Sequence, residues 1–149
     1  MYGFTDGDIV EKTELYTIWR VSEVVCIRVV GVVDDEKSER WRSGLTSYLE
    51  RTGYPRFAAL DSTGSDAQNS LRSRLSSATF GRNLARRLEW GAVLTGSGSG
   101  PLVVVRTVLR VGGMPNVYIY QSVPEFTAAM DACRAGRRPP RWSSLQVEA

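Results

Sequence analysis

Five consecutive residues, Asp61-Ser62-Thr63-Gly64-Ser65, set a carboxylate, three hydroxyls and a glycine directly behind a short apolar run, Phe57 to Leu60. A hydroxyl in such a place can accept a phosphoryl group, which adds about −1.5 to −2 charges and blocks or recruits an arginine-bearing partner. Ser62, Thr63 and Ser65 are therefore candidate phosphorylation sites, and Asp61 is a candidate contact for a partner or ligand. The same residues also suit an Asx or Ser/Thr turn that ends a strand and caps the next segment. A second candidate is the run Gly96-Ser97-Gly98-Ser99-Gly100-Pro101. The backbone amides around Gly96, Gly98 and Gly100 could cradle an anion at a helix N-terminus, or the run is a plain connection. It has neither the Lys-Ser/Thr of a P-loop nor the glycine spacing of a dinucleotide fingerprint. A third is the arginine group Arg82, Arg86 and Arg87, with Arg72 and Arg74 upstream. It forms a contact surface or a solvated helix face. Phe80 is the one aromatic residue among these arginines, so nucleic acid is not the expected partner.

What is missing narrows the chemistry further. The chain has no histidine, which removes Ser-His-Asp and Cys-His nucleophiles and imidazole metal ligands. Its two cysteines, Cys26 and Cys133, are too few for a thiolate zinc site. Both fall in apolar-patterned segments and read as buried free thiols. Lys12 and Lys37 are the two lysines, each in a polar context. The adjacent acids Asp34-Asp35 are accounted for by a helix start. No acid-base-nucleophile set stands out, so the expectation is a non-enzymatic protein without cofactor or metal.

The elements that would carry these residues are read from pattern. At 149 residues, with 42% apolar and 23% charged residues, the chain suits one globular domain. Residues 1–12, polar and glycine-containing, read as a flexible lead-in. Glu14 to Arg20 and the β-branched run Val24 to Val33 read as an antiparallel hairpin around Ser22-Glu23. Asp34 caps a helix over Glu36 to Thr52, whose Trp41, Leu45, Tyr48 and Leu49 share one face. Gly53 stops it, with Pro55 beyond. Arg56 to Leu60 is a short strand, with Asp61 at its end.

Gly64 to Thr79 is read as a helical turn or a mobile loop, and Phe80 to Glu89 as a helix. Trp90 to Thr95 is a strand. Residues 102–111 divide the signals. β-branched content argues for a strand, while Pro101, Gly112-Gly113 and the spacing of Arg106 and Arg110 argue for a helix, the preferred reading. Val117 to Gln121 is a strand, and Val123 to Ala135 a helix capped by Ser122. Residues 136–149 read as a disordered basic tail, leaving the domain at 13–135. The order β-β-α-β-α-β-α-β-α implies an α/β fold, with a mixed, mostly parallel sheet opened by an N-terminal hairpin and helices packed on it.

Charge is divided unevenly along this order. Residues 1–66 hold 12 acids and 8 bases, and residues 67–149 hold 4 acids and 11 arginines. The halves are therefore −4 and +7. That asymmetry fits an acidic partner or arginines that solvate helix surfaces. No apolar run approaches the ~20 residues of a membrane span. The N-terminus has no basic start with an apolar core behind it. A cytoplasmic location is the expectation.

This order resembles the STAS family, the fold shared by anti-sigma-factor antagonists and sulfate-transporter cytoplasmic domains, and within it the divergent bacterial SpoIIAA-like branch. The resemblance runs from Leu15 to Ala135. It lies in the element order, in the strand ending Ala59-Leu60-Asp61-Ser62, and in Val93-Leu94 before a glycine/serine loop. The late strand Val117 to Tyr120 and the closing helix Val123 to Met130 complete it. It implies a STAS-like single domain that regulates by protein–protein contact, in a signalling or partner-switching system. Classical members carry Asp-Ser-Ser-Gly at the start of the second helix, with the second serine phosphorylated. Asp61-Ser62-Thr63-Gly64 matches Asp-Ser-x-Gly and would put Thr63 at the acceptor position. The match departs in two ways: Asp61 follows the strand directly, and Ser65-Asp66-Ala67-Gln68-Asn69 replaces the apolar helix start. The alternative function is a sensor or carrier of a small anion, nucleotide or lipid that uses Gly96 to Pro101. A self-associating chain is a further outcome.

Overall fold

Ile9–Lys12 (β1), Tyr16–Val21 (β2) and Val24–Val33 (β3) form an antiparallel meander. In the computed structural model, which describes residues 1–95 and 114–140, the chain then alternates helix and strand. Asp35–Thr52 (α1) leads to Phe57–Ala67 (β4), and Leu71–Ala85 (α2) to Trp90–Leu94 (β5). Val117–Tyr120 (β6) is followed by Val123–Arg134 (α3). The six strands lie in the order β1-β2-β3-β4-β5-β6, and every pairing from β3 onward is parallel. β3 is thus the seam between an antiparallel and a parallel half.

The alternation of side chains sorts the core into two faces. Val24 and Cys26 of β3, Phe57 and Ala59 of β4, Ala92 and Leu94 of β5, and Tyr118 and Tyr120 of β6 point one way. Phe126, Ala129 and Met130 of α3 cover them, together with Tyr2 and Phe4. Val25, Ile27 and Val29 of β3 point the other way, onto Leu45, Tyr48 and Leu49 of α1. Burying one such leucine contributes about 1.5–3 kcal/mol. This second face continues to Phe80 and Leu84 of α2.

Helix α1 forms as its signals predict. The Asp34 carboxylate accepts from the Lys37 backbone N–H at 2.9 Å, and Gly53 ends the helix with φ +98°, a region glycine enters without strain. Gly44 allows close approach: a Cβ there would lie 2.1 Å from the Tyr16 hydroxyl. That hydroxyl donates to Glu11 at 2.7 Å, fastening β2 to β1 beneath α1.

Four expectations change. Residues 1–12 are not a loose lead-in. Tyr2 and Phe4 are buried against Trp19, Asp6–Asp8 is a 3-10 turn, and β1 pairs with β2. Their core partners include α3, too distant in sequence for any local pattern to reveal. β4 does not end at Asp61 but runs to Ala67, because Gly64 to Ala67 pair with Val30 to Val33. α2 begins at Leu71, well before Phe80, since Ser70 caps it by accepting from the Ser73 N–H; it ends at Ala85 rather than Glu89.

The tail, read as disordered from residue 136, packs through Pro140. The Arg138 guanidinium lies 4.0 Å over the Trp90 ring and donates to the Tyr118 hydroxyl at 2.7 Å. Pro139 is buried, and the Tyr120 hydroxyl donates to the Pro140 carbonyl. The expected helix over 102–111 and the glycine run 96–100 lie outside the described residues.

Candidate functional site at the bulge of strand β4

The register between β3 and β4 slips where the candidate residues stand. Arg28 opposes Asp61, and two residues further along β3, Val30 opposes Gly64, three residues further along β4. One extra residue is therefore accommodated in β4 as a bulge, a device that re-aims side chains and twists the strand. Inside it the Asp61 carboxylate accepts two hydrogen bonds through Oδ1. One comes from the Thr63 backbone N–H at 2.8 Å, the other from the Thr63 hydroxyl at 2.6 Å. This is the Asx-type turn that the sequence allows, set within a strand rather than at its end. The Ser65 hydroxyl donates to the Ser62 carbonyl at 2.7 Å and closes the same loop of chain.

Asp61 is 2% exposed and alternates with Phe57 and Ala59, on the face covered by α3. Its other oxygen, Oδ2, lies 3.5 Å from Nε of Arg28, which crosses from β3. That Nε is buried and has no hydrogen-bond partner among the described residues, so the ion pair is its compensation there. Gly64 gives the guanidinium room, since a Cβ would stand 3.1 Å from its Nη2. The buried acid, the exposed Thr63 and the partly exposed Arg28 thus form one chain of contacts at the surface. β5 ends at Leu94, opposite Asp61, so Ser62 to Ala67 is a strand held along its β3 side.

The hydroxyls divide between the two faces. Ser62 alternates with Ala58 and Leu60 and lines a cavity of about 320 Å³ on the α1–α2 side. Ile27, Trp41, Leu60, Phe80, Leu84 and Met114 make most of that cavity's wall apolar, with Arg74 and Ser77 among its few polar contributors. Trp41 and Phe80 meet edge to face there, centroids 5.6 Å apart.

The candidate arginines belong to α2 and its end, and none is paired to Asp61 among the described residues. Arg82 is half-buried with an unpartnered Nε. Arg86 is exposed, and Arg87 lies 4.4 Å over the Tyr54 ring. Gly96, Gly98 and Gly100 lie outside the described residues.

Sequence reading missed Arg28. Its signal is a lone charge in the apolar run Val24 to Val33, which a parallel neighbour carrying a buried acid would explain. It also read Asp35 as a first-turn acid alone. The Asp35 carboxylate accepts from the Ser70 N–H at 2.6 Å and hydroxyl at 2.7 Å, tying the starts of α1 and α2 together. Those two bonds hold its carboxyl below the usual carboxylate range. Among the described residues, no group of three or more metal-ligating side chains is gathered, and no helix is long and apolar enough to cross a membrane.

The strand order, the change from antiparallel to parallel at β3 and the helix behind β6 define the class: this is a mixed α/β domain of SpoIIAA-like fold. No protein-family model matches the chain, and no curated protein matches it significantly. Solved structures do. A DUF3478-family protein with a SpoIIAA-like fold, from Shewanella loihica PV-4, superposes with a TM-score of 0.52 at 18% identity, over 75% of this chain and 92% of its own. The Bacillus cell fate determinant SpoIIAA, in its phosphorylated form, superposes with a TM-score of 0.50 at 16% identity, over 82% of this chain and 99% of its own. The architecture is the one the STAS resemblance implies.

Proposed function

We propose that the chain is a non-enzymatic, cytoplasmic regulatory module that works by protein–protein contact, with the bulge in β4 as its control point. The observation that carries the reading is the Arg28–Asp61–Thr63 contact chain at the bulge of β4, level with the carboxyl end of β5, since carboxyl ends of parallel strands are where α/β proteins usually meet ligands and partners. The phosphorylated state in which the Bacillus neighbour was solved supports it further. Thr63 is exposed, and its hydroxyl donates to Asp61. A phosphate on that oxygen removes the donor and sets about two negative charges beside a buried carboxylate. Arg28, already at the same spot, is the nearest compensating charge. The local turn then has to re-form, and a partner reading this edge meets a different surface. Ser62 and Ser65 are the secondary acceptors.

The test is intact-mass analysis of protein isolated from its native cells, combined with affinity capture. The expected result is a fraction heavier by one phosphate, mapped to Thr63, Ser62 or Ser65, and a co-purifying protein released by Thr63→Asp. Unmodified protein whose captured partners are indifferent to Thr63→Asp overturns the switch.

A second reading, a small-ligand carrier, is favoured by the cavity under α1 and α2. Its apolar wall suits a lipid-like molecule better than an anion or nucleotide. Mass spectrometry of the denatured protein should then show a co-purified apolar molecule.

A further inference from the structure

Helix α2 carries a surface that the Asp61 edge does not use. Asp61 points to the face covered by α3, whereas α2 lies on the opposite side of the sheet. From Ala67 to Leu88 the chain holds five arginines and no acid. On the outward side of α2, Leu71 is 72% exposed and Leu75 is 60% exposed. They stand one turn apart, and with Arg72, Ser76 and Thr79 they line a shallow hollow along the helix. Helical periodicity continues that row to Arg82 and Arg86.

Single exposed leucines are ordinary. A leucine pair at helical spacing, in a row with arginines of one sign, is a different pattern. Arg72, Arg82 and Arg86 form no ion pair among the described residues. Neighbouring acids are engaged elsewhere: Asp35 accepts from Ser70, and Glu89 pairs with Arg56 at 2.7 Å.

Charge complementarity selects the occupant. We propose that the outer row of α2, built on Leu71, Leu75, Arg72 and Arg86, docks an acidic amphipathic helix of a partner protein. The partner's apolar side chains cover the leucine pair and its carboxylates meet the arginines. This rests on the reading of the chain as a protein-interaction module and adds a second contact surface, on the other side of the sheet from Asp61.

The experiment titrates the isotopically labelled full chain with a designed helical peptide of about four turns. The peptide carries leucines at i, i+4 and i+7 and glutamates on the flanking positions. A lysine-for-glutamate version of the peptide and a single-stranded oligonucleotide serve as comparisons. The expected result is amide shifts confined to α2 with the glutamate peptide, weakened about tenfold or more by Leu71→Ser/Leu75→Ser and by Arg72→Glu/Arg86→Glu. These positions are exposed, so the variants should keep the parent spectrum elsewhere.

Absence of α2 shifts at millimolar peptide overturns the proposal, as does equal binding of the lysine peptide. Oligonucleotide binding that the arginine variant abolishes assigns the surface to nucleic acid instead. Concentration-dependent dimerisation lost in the leucine variant assigns it to a second copy. Failure here alongside a Thr63→Asp effect on captured partners overturns the α2 surface alone. Failure of both removes the interaction reading.

Discussion

The two faces of the sheet are built to different standards. Under α3 the packing is aromatic and closed. Phe126, Tyr120 and Ala129 are wholly inaccessible, and Tyr2 meets Phe126 edge to face at 4.9 Å. Segments from both ends of the described chain converge there, Tyr2 and Phe4 with α3 and the Arg138–Trp90 stack. Under α1 and α2 the packing is mainly aliphatic, leaves an open pocket of about 320 Å³ and ends in a helix whose outer leucines face solvent. The first face is filled by rings, whereas the second, for all its buried aliphatic residues, leaves room beside α2. The Arg28–Asp61–Thr63 chain sits at the rim of the closed face, so a charge added to Thr63 acts on a rigid support. Contacts made by α2 act on a compliant one.

The sharpest way to break this contrast is a pair of truncations. Phe126→Ala should lose about 3–5 kcal/mol in urea unfolding, the range for a fully enclosed phenylalanine. Phe80→Ala, at the cavity wall, should lose less than about 3 kcal/mol, because its ring already has fewer neighbours to forfeit. Equal losses would erase the distinction.

Next in size is Asp61→Ala. It strips the partner from the buried Nε of Arg28 and from two donors of Thr63, and should lower stability by about 1–3 kcal/mol. Asp61→Asn should recover part of that loss by still accepting from Thr63. A neutral Asp61→Ala would mean that the rim is not rigidly held.

Smaller, and opposite in sign, is Gly81→Ala on the compliant face. Gly81 is inside α2, and among the described residues an added Cβ would meet only the Met114 sulfur, at an ordinary 3.9 Å. Relief of the glycine's backbone entropy should raise stability by about 0.5–1 kcal/mol, read as a higher urea midpoint at unchanged slope.

The smallest effect near neutrality concerns the two thiols, both on the closed face. Burial pushes Cys26 and Cys133 up from 9.0 to about 12. The native state therefore favours the protonated thiols. That preference is complete below pH 9 and is lost as pH rises toward 12, because the unfolded thiols ionise first. Stability should be insensitive to these groups at pH 7 and should decline above about pH 9. Native alkylation at pH 8 should be slow, and rapid labelling of Cys26 would show that this face opens.

Legibility from sequence followed the range of the interactions. α1 could be read because its signals are local: the Asp34 cap, the Gly53 stop and one apolar stripe. α3 was read equally well from Ser122, whose hydroxyl accepts from the Glu125 N–H at 3.3 Å. The start of α2 was obscured because Leu71 and Leu75 face outward and serines and arginines fill the rest of its first turns. The second half of β4 has no large apolar residue and is a strand because β3 pairs with it. Tyr2, Phe4 and Arg138 were missed because their partners are rings contributed by remote segments. At the candidate site, Asp61, Thr63 and the turn between them were legible, whereas Arg28 required the parallel register of β3 against β4.

The seam at β3 has a consequence for the order in which the molecule assembles. Its antiparallel partner, β2, is joined to it through a two-residue turn at Ser22 and Glu23, so that contact closes over a short loop and forms early. The aromatic face joins Tyr2 to Phe126 across nearly the full chain, and such a closure comes late on the folding route. Weakening that closure should then shorten the lifetime of the native state while leaving the refolding rate nearly unchanged, so the face that holds the domain together is also the one that times its unfolding.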